Sequence, residues 1–171
     1  MYEYISGKIT QTTPAFTILE NAGIGYLINI SIYTYEQLKD QQEACLYIYE
    51  HIREDAHTLY GFAETREREL FQLLISVSGI GANTARMILS SLPPDDLYQA
   101  ITSENVNQIK SIKGIGLKTA QRVIIDLKDK IAKASGEGEN LPAAADNTKA
   151  DEALSALVML GFSKGPAQKV I

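Results

Sequence analysis

The first sixty or so residues alternate apolar and polar positions with the two-residue period of half-buried strands. Five stretches carry this pattern and are rich in β-branched and aromatic residues: Tyr2 to Thr10, Phe16 to Glu20, Tyr26 to Ile32, Ala44 to Ile52 and Thr58 to Phe62. Turn-forming residues such as Asn21-Ala22-Gly23-Ile24-Gly25 separate them. A short helical turn is expected around Tyr35 to Leu38, between the third and fourth strands. Five short strands in so small a segment predict a closed barrel of OB-fold type. From Glu64 onward the period becomes helical, which predicts a boundary between residues 63 and 64.

The helical half says the same thing twice. Ser76-Val-Ser-Gly-Ile-Gly-Ala-Asn-Thr-Ala85 and Ser111-Ile-Lys-Gly-Ile-Gly-Leu-Lys-Thr-Ala120 share the serine, both glycines, the central isoleucine, the threonine and the alanine. An apolar helix leads into each copy: Leu70, Phe71, Leu73, Leu74 and Val77 in the first, Val106 and Ile109 in the second. A helical pattern also leads out of each, through Ala85, Ile88 and Leu89 or through Ala120, Val123, Ile124 and Leu127. Pro93-Pro-Asp-Asp-Leu97 opens a linking helix to about Ser103, with proline in the first turn and acids at the positive end. A repeat of two units is a pseudo-symmetric pair rather than a solenoid.

Each Gly-Ile-Gly allows a hairpin with positive φ and close approach of another molecule. Ile80 and Ile115 plug the hairpins into the core, and the N–H groups after Gly81 and Gly116 lie at helix N-termini, where the macrodipole favours an anion. The Thr84 and Thr119 hydroxyls are placed to join them. That chemistry suits phosphate gripping without base reading, and the paired motifs resemble the tandem helix-hairpin-helix of proteins that hold DNA backbones. The competing reading is a duplicated helical hairpin whose glycines only turn the chain. The expected contacts are Gly79, Ile80, Gly81, Ala82, Asn83 and Thr84 in the first copy. In the second they are Lys110, Lys113, Gly114, Ile115, Gly116, Leu117, Lys118, Thr119 and Arg122.

After Lys133 the pattern is lost. Residues 134–150 are small, polar and aperiodic, as in a flexible linker. From Asp151 an amphipathic helix returns with Leu154, Leu157, Val158 and Leu160, followed by a Gly161-Phe162 turn. The expected organisation is thus a barrel over 1–63, a tandem helix-hairpin-helix domain over 64–133, a linker over 134–150 and a small helical module from 151 to 171.

Composition changes this picture in one respect. A formal charge of −5 on 171 residues is unexpected for a nucleic-acid binder, but it is unevenly spread. Residues 1–64 hold three Lys/Arg against nine Asp/Glu, whereas residues 105–133 hold seven against two. Positive charge therefore collects around the second hairpin, where phosphate contacts are expected. The single cysteine, Cys45, excludes a disulfide framework and a thiolate metal site. No apolar run has the length of a membrane span and no signal peptide is evident, so a cytoplasmic protein is expected.

Other chemistry is sparse. Tyr47 and Tyr49 share a strand face and invite base stacking, but the acidity of this segment favours packing against the barrel wall or a subunit interface. His51 to His57 encloses Glu54 and Asp55, yet no further carboxylate or histidine completes a metal or acid–base site. Neither glycine-rich turn has the sequence of a nucleotide-binding loop, so no catalytic residue, metal or cofactor is expected and any motor must be another chain. A helix-hairpin-helix glycosylase or nuclease would need a catalytic lysine or carboxylate cluster; Lys118 lies in the hairpin, where phosphate binding accounts for it. A protein-interaction scaffold remains the alternative of a different class.

Arg53-Glu-Asp-Ala56, Leu59-Tyr-Gly-Phe62, Glu69-Leu-Phe-Gln-Leu-Leu-Ile75, Gly79-Ile-Gly81 and Gly114-Ile-Gly116 occur in order and at spacings that closely resemble the RuvA family. These are the DNA-binding subunits of the bacterial RuvAB branch-migration machine, which acts on Holliday junctions in recombination and repair. The resemblance covers essentially the whole chain. It implies a homotetramer, with one or two tetramers on each four-way junction, and implies Glu54 and Asp55 as an acidic pin at the centre. It also implies the RuvB hexameric ATPase and the RuvC resolvase as partners, and an SOS-response setting. The tail would be a UBA-like module contacting RuvB through Leu154, Leu157, Val158, Leu160, Gly161 and Phe162, with the sequence ending inside that module's second helix. Ala82 and Asn83 stand where relatives can carry lysine, so the first hairpin is expected to bind phosphate mainly through backbone N–H groups.

Overall fold

The computed structural model describes residues 1–134, and the expected linker and C-terminal module lie outside the described residues. Five strands, β1 (Tyr4–Thr12), β2 (Phe16–Asn21), β3 (Ile24–Asn29), β4 (Glu43–Ile52) and β5 (His57–Phe62), close a barrel in the order β1-β2-β3-β5-β4. All pairings are antiparallel except β3 with β5, a short parallel seam of Ile28 opposite Leu59 and Asn29 opposite Tyr60. Helix α1 (Ile32–Leu38) lies between β3 and β4. The β2–β3 hairpin turns through Ala22 and Gly23, both at positive φ (51° and 81°), as a two-residue type I′ turn requires.

The third strand is shorter than its sequence suggests. Ile30 and Ile32 extend the β-branched pattern, but Ser31 accepts the Thr34 N–H at 3.0 Å and caps α1, so Ile32 begins a helix. The barrel core is Ile5, Leu19, Ile28, Ile30, Leu38, Leu46 and Ile48. Gly61 is dictated by this packing, because a Cβ there would meet Ile28 Cγ2 at 2.4 Å.

Five further helices complete the described chain: α2 (Thr65–Ile75), α3 (Ala82–Ser91), α4 (Pro94–Thr102), α5 (Val106–Lys110) and α6 (Leu117–Ala134). Pro94 opens α4 with Asp95 and Asp96 in its first turn. The same helix ends in a Schellman motif: Glu104 adopts φ 55° and the Asn105 N–H reaches the Ala100 carbonyl at 2.8 Å. Leu70, Phe71, Leu74, Val77, Ala85, Ile88, Leu89, Ile109, Ala120, Val123, Ile124 and Leu127, apolar positions of the two copies, lie in one core, and Leu73 and Val106 pack against it partly buried.

Barrel and helices are joined through that core. Tyr60 and Phe62 of β5 belong to it, and Phe71 of α2 packs on Tyr49, Tyr60 and Phe62 with ring centroids 5.2, 5.2 and 4.9 Å apart. Tyr49 is therefore packing, and Tyr47 lies under the Arg68 guanidinium, 5.4 Å from its ring centre. Beside this aromatic contact the carboxylate of Glu67 is fully buried, bonded by the Ser31 hydroxyl and by Thr34 Oγ1 at 2.6 Å. Thr34 Oγ1 in turn accepts the Ala63 N–H at 3.2 Å, so α1, α2 and the end of β5 share one polar clasp.

Burial outweighs those two hydrogen bonds and pushes the Glu67 carboxyl from 4.5 up to about 7. A carboxyl raised in the folded state favours the protonated form, so its contribution to stability falls as pH rises from 4.5 to about 7 and stays lost above that. Glu67→Gln keeps the polar contacts without the charge. It should match the wild type near pH 5 and exceed it at pH 8 by up to about 3 kcal/mol in urea unfolding. A variant less stable than wild type at pH 8 would mean that the ionised carboxylate is what the clasp holds.

Candidate nucleic-acid interface

The two hairpins are built alike to the level of single hydrogen bonds. In the first, Val77 N–H reaches Leu74 O at 3.1 Å, Ile80 N–H reaches Val77 O at 3.0 Å, and Ala85 N–H reaches Gly81 O at 2.9 Å. In the second, Ile112 N–H reaches Ile109 O at 3.3 Å, Ile115 N–H reaches Ile112 O at 3.0 Å, and Ala120 N–H reaches Gly116 O at 2.9 Å. The serine of each copy turns its hydroxyl back on the preceding helix, Ser76 to Leu73 O and Ser111 to Gln108 O, both at 2.7 Å. Ile80 and Ile115 are 5% and 6% exposed, buried between glycines that are themselves on the surface.

The two glycines of each hairpin do different work. Gly79 and Gly114 have φ of 92° and 86°, a region costly to any residue with a Cβ. Gly81 has φ −89° and ψ 169°, ordinary extended backbone, and Gly116 likewise lies outside the left-handed region. A Cβ on either would meet nothing within 4 Å. Neither backbone strain nor packing demands glycine at these two positions. A second molecule lying against the backbone would.

That backbone is the open start of a helix. Gly81 is the N-cap of α3 and supplies no side-chain acceptor, leaving the N–H groups of Ala82, Asn83 and Thr84 in the first turn without helical partners. Leu117, Lys118 and Thr119 occupy the same positions at the start of α6. By contrast Ser31 and Asn105 cap α1 and α5 with their own side chains. Outward N–H groups, a helix dipole and a nearby threonine hydroxyl suit a phosphate oxygen, twice over.

Charge completes the second hairpin directly. Lys110, Lys113 and Lys118 are exposed and make no ion pair among the described residues. The first hairpin has no basic residue of its own and borrows from α6: Arg122 donates to Ser78 O at 3.3 Å and Lys130 to Ser76 Oγ at 2.8 Å. Arg122, expected with the second copy, thus reaches the first. Lys130 was not singled out by the sequence, and its signal was only the basic balance of residues 105–133.

Glu54 and Asp55 form a two-residue turn at the tip of the β4–β5 hairpin, closed by Arg53 N–H to Ala56 O at 2.8 Å. Both are exposed and neither makes an ion pair among the described residues. Among the described residues no group of His, Cys, Asp and Glu could hold a metal ion, and no helix is long and apolar enough to cross a membrane. Leu154, Leu157, Val158, Leu160, Gly161 and Phe162 lie outside the described residues.

A five-stranded barrel bearing two matched, backbone-presenting hairpins defines a tandem helix-hairpin-helix protein with an N-terminal OB-type domain. Residues 1–61 match the family described as RuvA N terminal domain, and residues 71–129 match the SAM-like Helix-hairpin-helix tandem. The chain is 53% identical to the Holliday junction branch migration complex subunit RuvA of Bacteroides fragilis, covering 100% of this chain and 89% of the relative. It is 52% identical to the protein of the same name from Bacteroides thetaiotaomicron (100% and 89% covered) and 55% identical to that from Parabacteroides distasonis (100% and 88% covered). The chain belongs to the RuvA family.

The division between the glycines gives a direct test. Gly79→Ala should cost about 1 kcal/mol of stability through its positive φ. Gly81→Ala and Gly116→Ala meet neither backbone strain nor a clash and should cost no more than about 1 kcal/mol in thermal unfolding, the preference of an N-cap for glycine over alanine. Each should nevertheless weaken binding to DNA by about tenfold. Unchanged affinity in both second-glycine variants would assign the glycines to chain turning alone.

Proposed function

We propose that this chain is a non-catalytic subunit that binds four-way DNA, holds it open, and presents it to an ATPase motor for branch migration. The observation that carries the reading is the pair of second glycines, demanded by neither strain nor packing and set at the starts of α3 and α6. The hairpins grip phosphates without reading bases, so recognition is of shape and charge. A homotetramer places four copies of Glu54 and Asp55 about the crossover, where carboxylates repel phosphates and disfavour a continuous duplex. Exposed apolar side chains on the barrel, Tyr4, Ile24 and Leu27 at 59%, 56% and 53%, support self-association of that domain.

The relatives are named as subunits of a branch migration complex, which fits a division of labour between a DNA holder and a separate motor. The motor in this reading is the RuvB hexamer, engaged by the C-terminal module, with RuvC resolvase a further partner and one or two tetramers on each junction. The second reading is a general duplex-binding or scaffold protein.

A gel-shift titration of a four-way junction against linear duplex of equal length, across a salt series, separates these. The junction should be preferred strongly. Lys118→Ala should weaken both complexes and reduce the salt slope by about one. Replacing Glu54 and Asp55 together by Gln and Asn should leave affinity intact or raised while slowing motor-driven branch migration. Equal affinity for both DNAs would leave a generic duplex binder, and no binding at low salt would leave the scaffold.

A further inference from the structure

Gripping arms and opening a centre are done by different domains, so the reading above requires the hairpins to stand at a set distance from the acidic turn. Domains within one chain move relative to one another unless the contact between them is extensive. Here the contact is reinforced by polar side chains drawn from the first hairpin unit. From α2, Arg68 donates to the Glu3 carbonyl at 3.1 Å and pairs with its carboxylate at 2.5 Å, while Glu67 closes the buried clasp. From α3 comes Arg86.

Arg86 stands one helical turn beyond the phosphate-facing N–H groups, where a cation would ordinarily be assigned to DNA. Its Nη1 instead donates to two barrel carbonyls, Ala15 O at 3.0 Å and Ile30 O at 3.1 Å. One turn further, Ser90 Oγ accepts the Ile32 N–H at 3.1 Å and donates to the Arg86 carbonyl at 2.8 Å. Helix α3 is thereby fastened to the β1–β2 and β3–α1 connections, while α2 and its aromatic contact hold β4 and β5. The internal repeat supplies an independent observation. Aligning Gly79 with Gly114 puts Arg86 opposite Gln121, which is exposed and uncharged. The cation thus stands in the copy that touches the barrel and not at the equivalent place in the other.

We infer that Arg86 is a positioning residue for four-way recognition: it fixes the first hairpin relative to the acidic turn without itself holding DNA. The inference rests on the four-way reading above. Linear duplex needs only the hairpins, so loosening this joint costs selectivity and spares duplex binding.

The test uses the full chain, with Arg86→Gln, Arg86→Lys and the milder Ser90→Ala compared on junction and duplex across a salt series. Arg86→Gln should bind duplex with wild-type affinity and salt slope but lose roughly tenfold of its junction preference, the equivalent of one charge-assisted hydrogen bond. Arg86→Lys, which can still donate to both carbonyls, should recover most of it. Ser90→Ala should move the same way by less, and supplies the result if Arg86→Gln does not fold. Spin labels on Cys45 and on Met87→Cys, under spin dilution, should show a broader distance distribution once Arg86 is replaced. Loss of duplex affinity with a shallower salt slope would make Arg86 a phosphate ligand and overturn the inference. So would full junction preference with an unchanged distance distribution. A wild type without junction preference would remove the functional reading itself, a result seen before any variant is compared.

Discussion

Everything in the helical half is arranged to hold a four-residue turn in which the backbone, not a side chain, faces outward. Ile80 and Ile115 drive their turns into the core, and that burial fixes the following helix starts toward solvent with their N–H groups unpaired. Leaving such groups open is tolerable only at a surface, where water or an anion satisfies them. The core therefore does more than stabilise. It aims two sets of fixed dipoles that need no rearrangement on meeting a phosphate.

The two sets are equivalent in backbone and unequal in charge. Lys110, Lys113 and Lys118 surround the second hairpin, while the first depends on Arg122 and Lys130 reaching across from α6. One helix thus serves both hairpins, which ties their relative placement to the rigidity of a single element. The negative balance of the barrel segment then reads as a division of charge between an acidic barrel and a basic helical segment rather than as a contradiction.

The elements were largely legible because their hydrophobic period was clean: the five strands and the linking helix from Pro94 lie close to where the pattern puts them. The exception was Ile30 to Ile32, where two β-branched residues outweighed a capping serine whose partner is local. The hairpins were legible through repetition. What could not be read were contacts made across the chain. Glu67 looks like a surface acid on a helix, and only the fold brings Ser31 and Thr34 to it. Arg86 looks like one more cation beside a DNA motif until its carbonyl partners are seen. The different duties of Gly79 and Gly81 likewise need φ angles, which sequence does not carry.

The parallel seam between β3 and β5 has a consequence for how the molecule assembles. It joins Ile28 and Asn29 to residues some thirty positions later, a distant pairing that the barrel cannot complete early. The strand that closes it also carries Tyr60 and Phe62 into the core of the helical half. Closing the barrel and seating the helices are thus one event on one strand. The placement of β5 therefore matters to both halves at once, to the barrel through its seam and to the helices through its aromatic side chains.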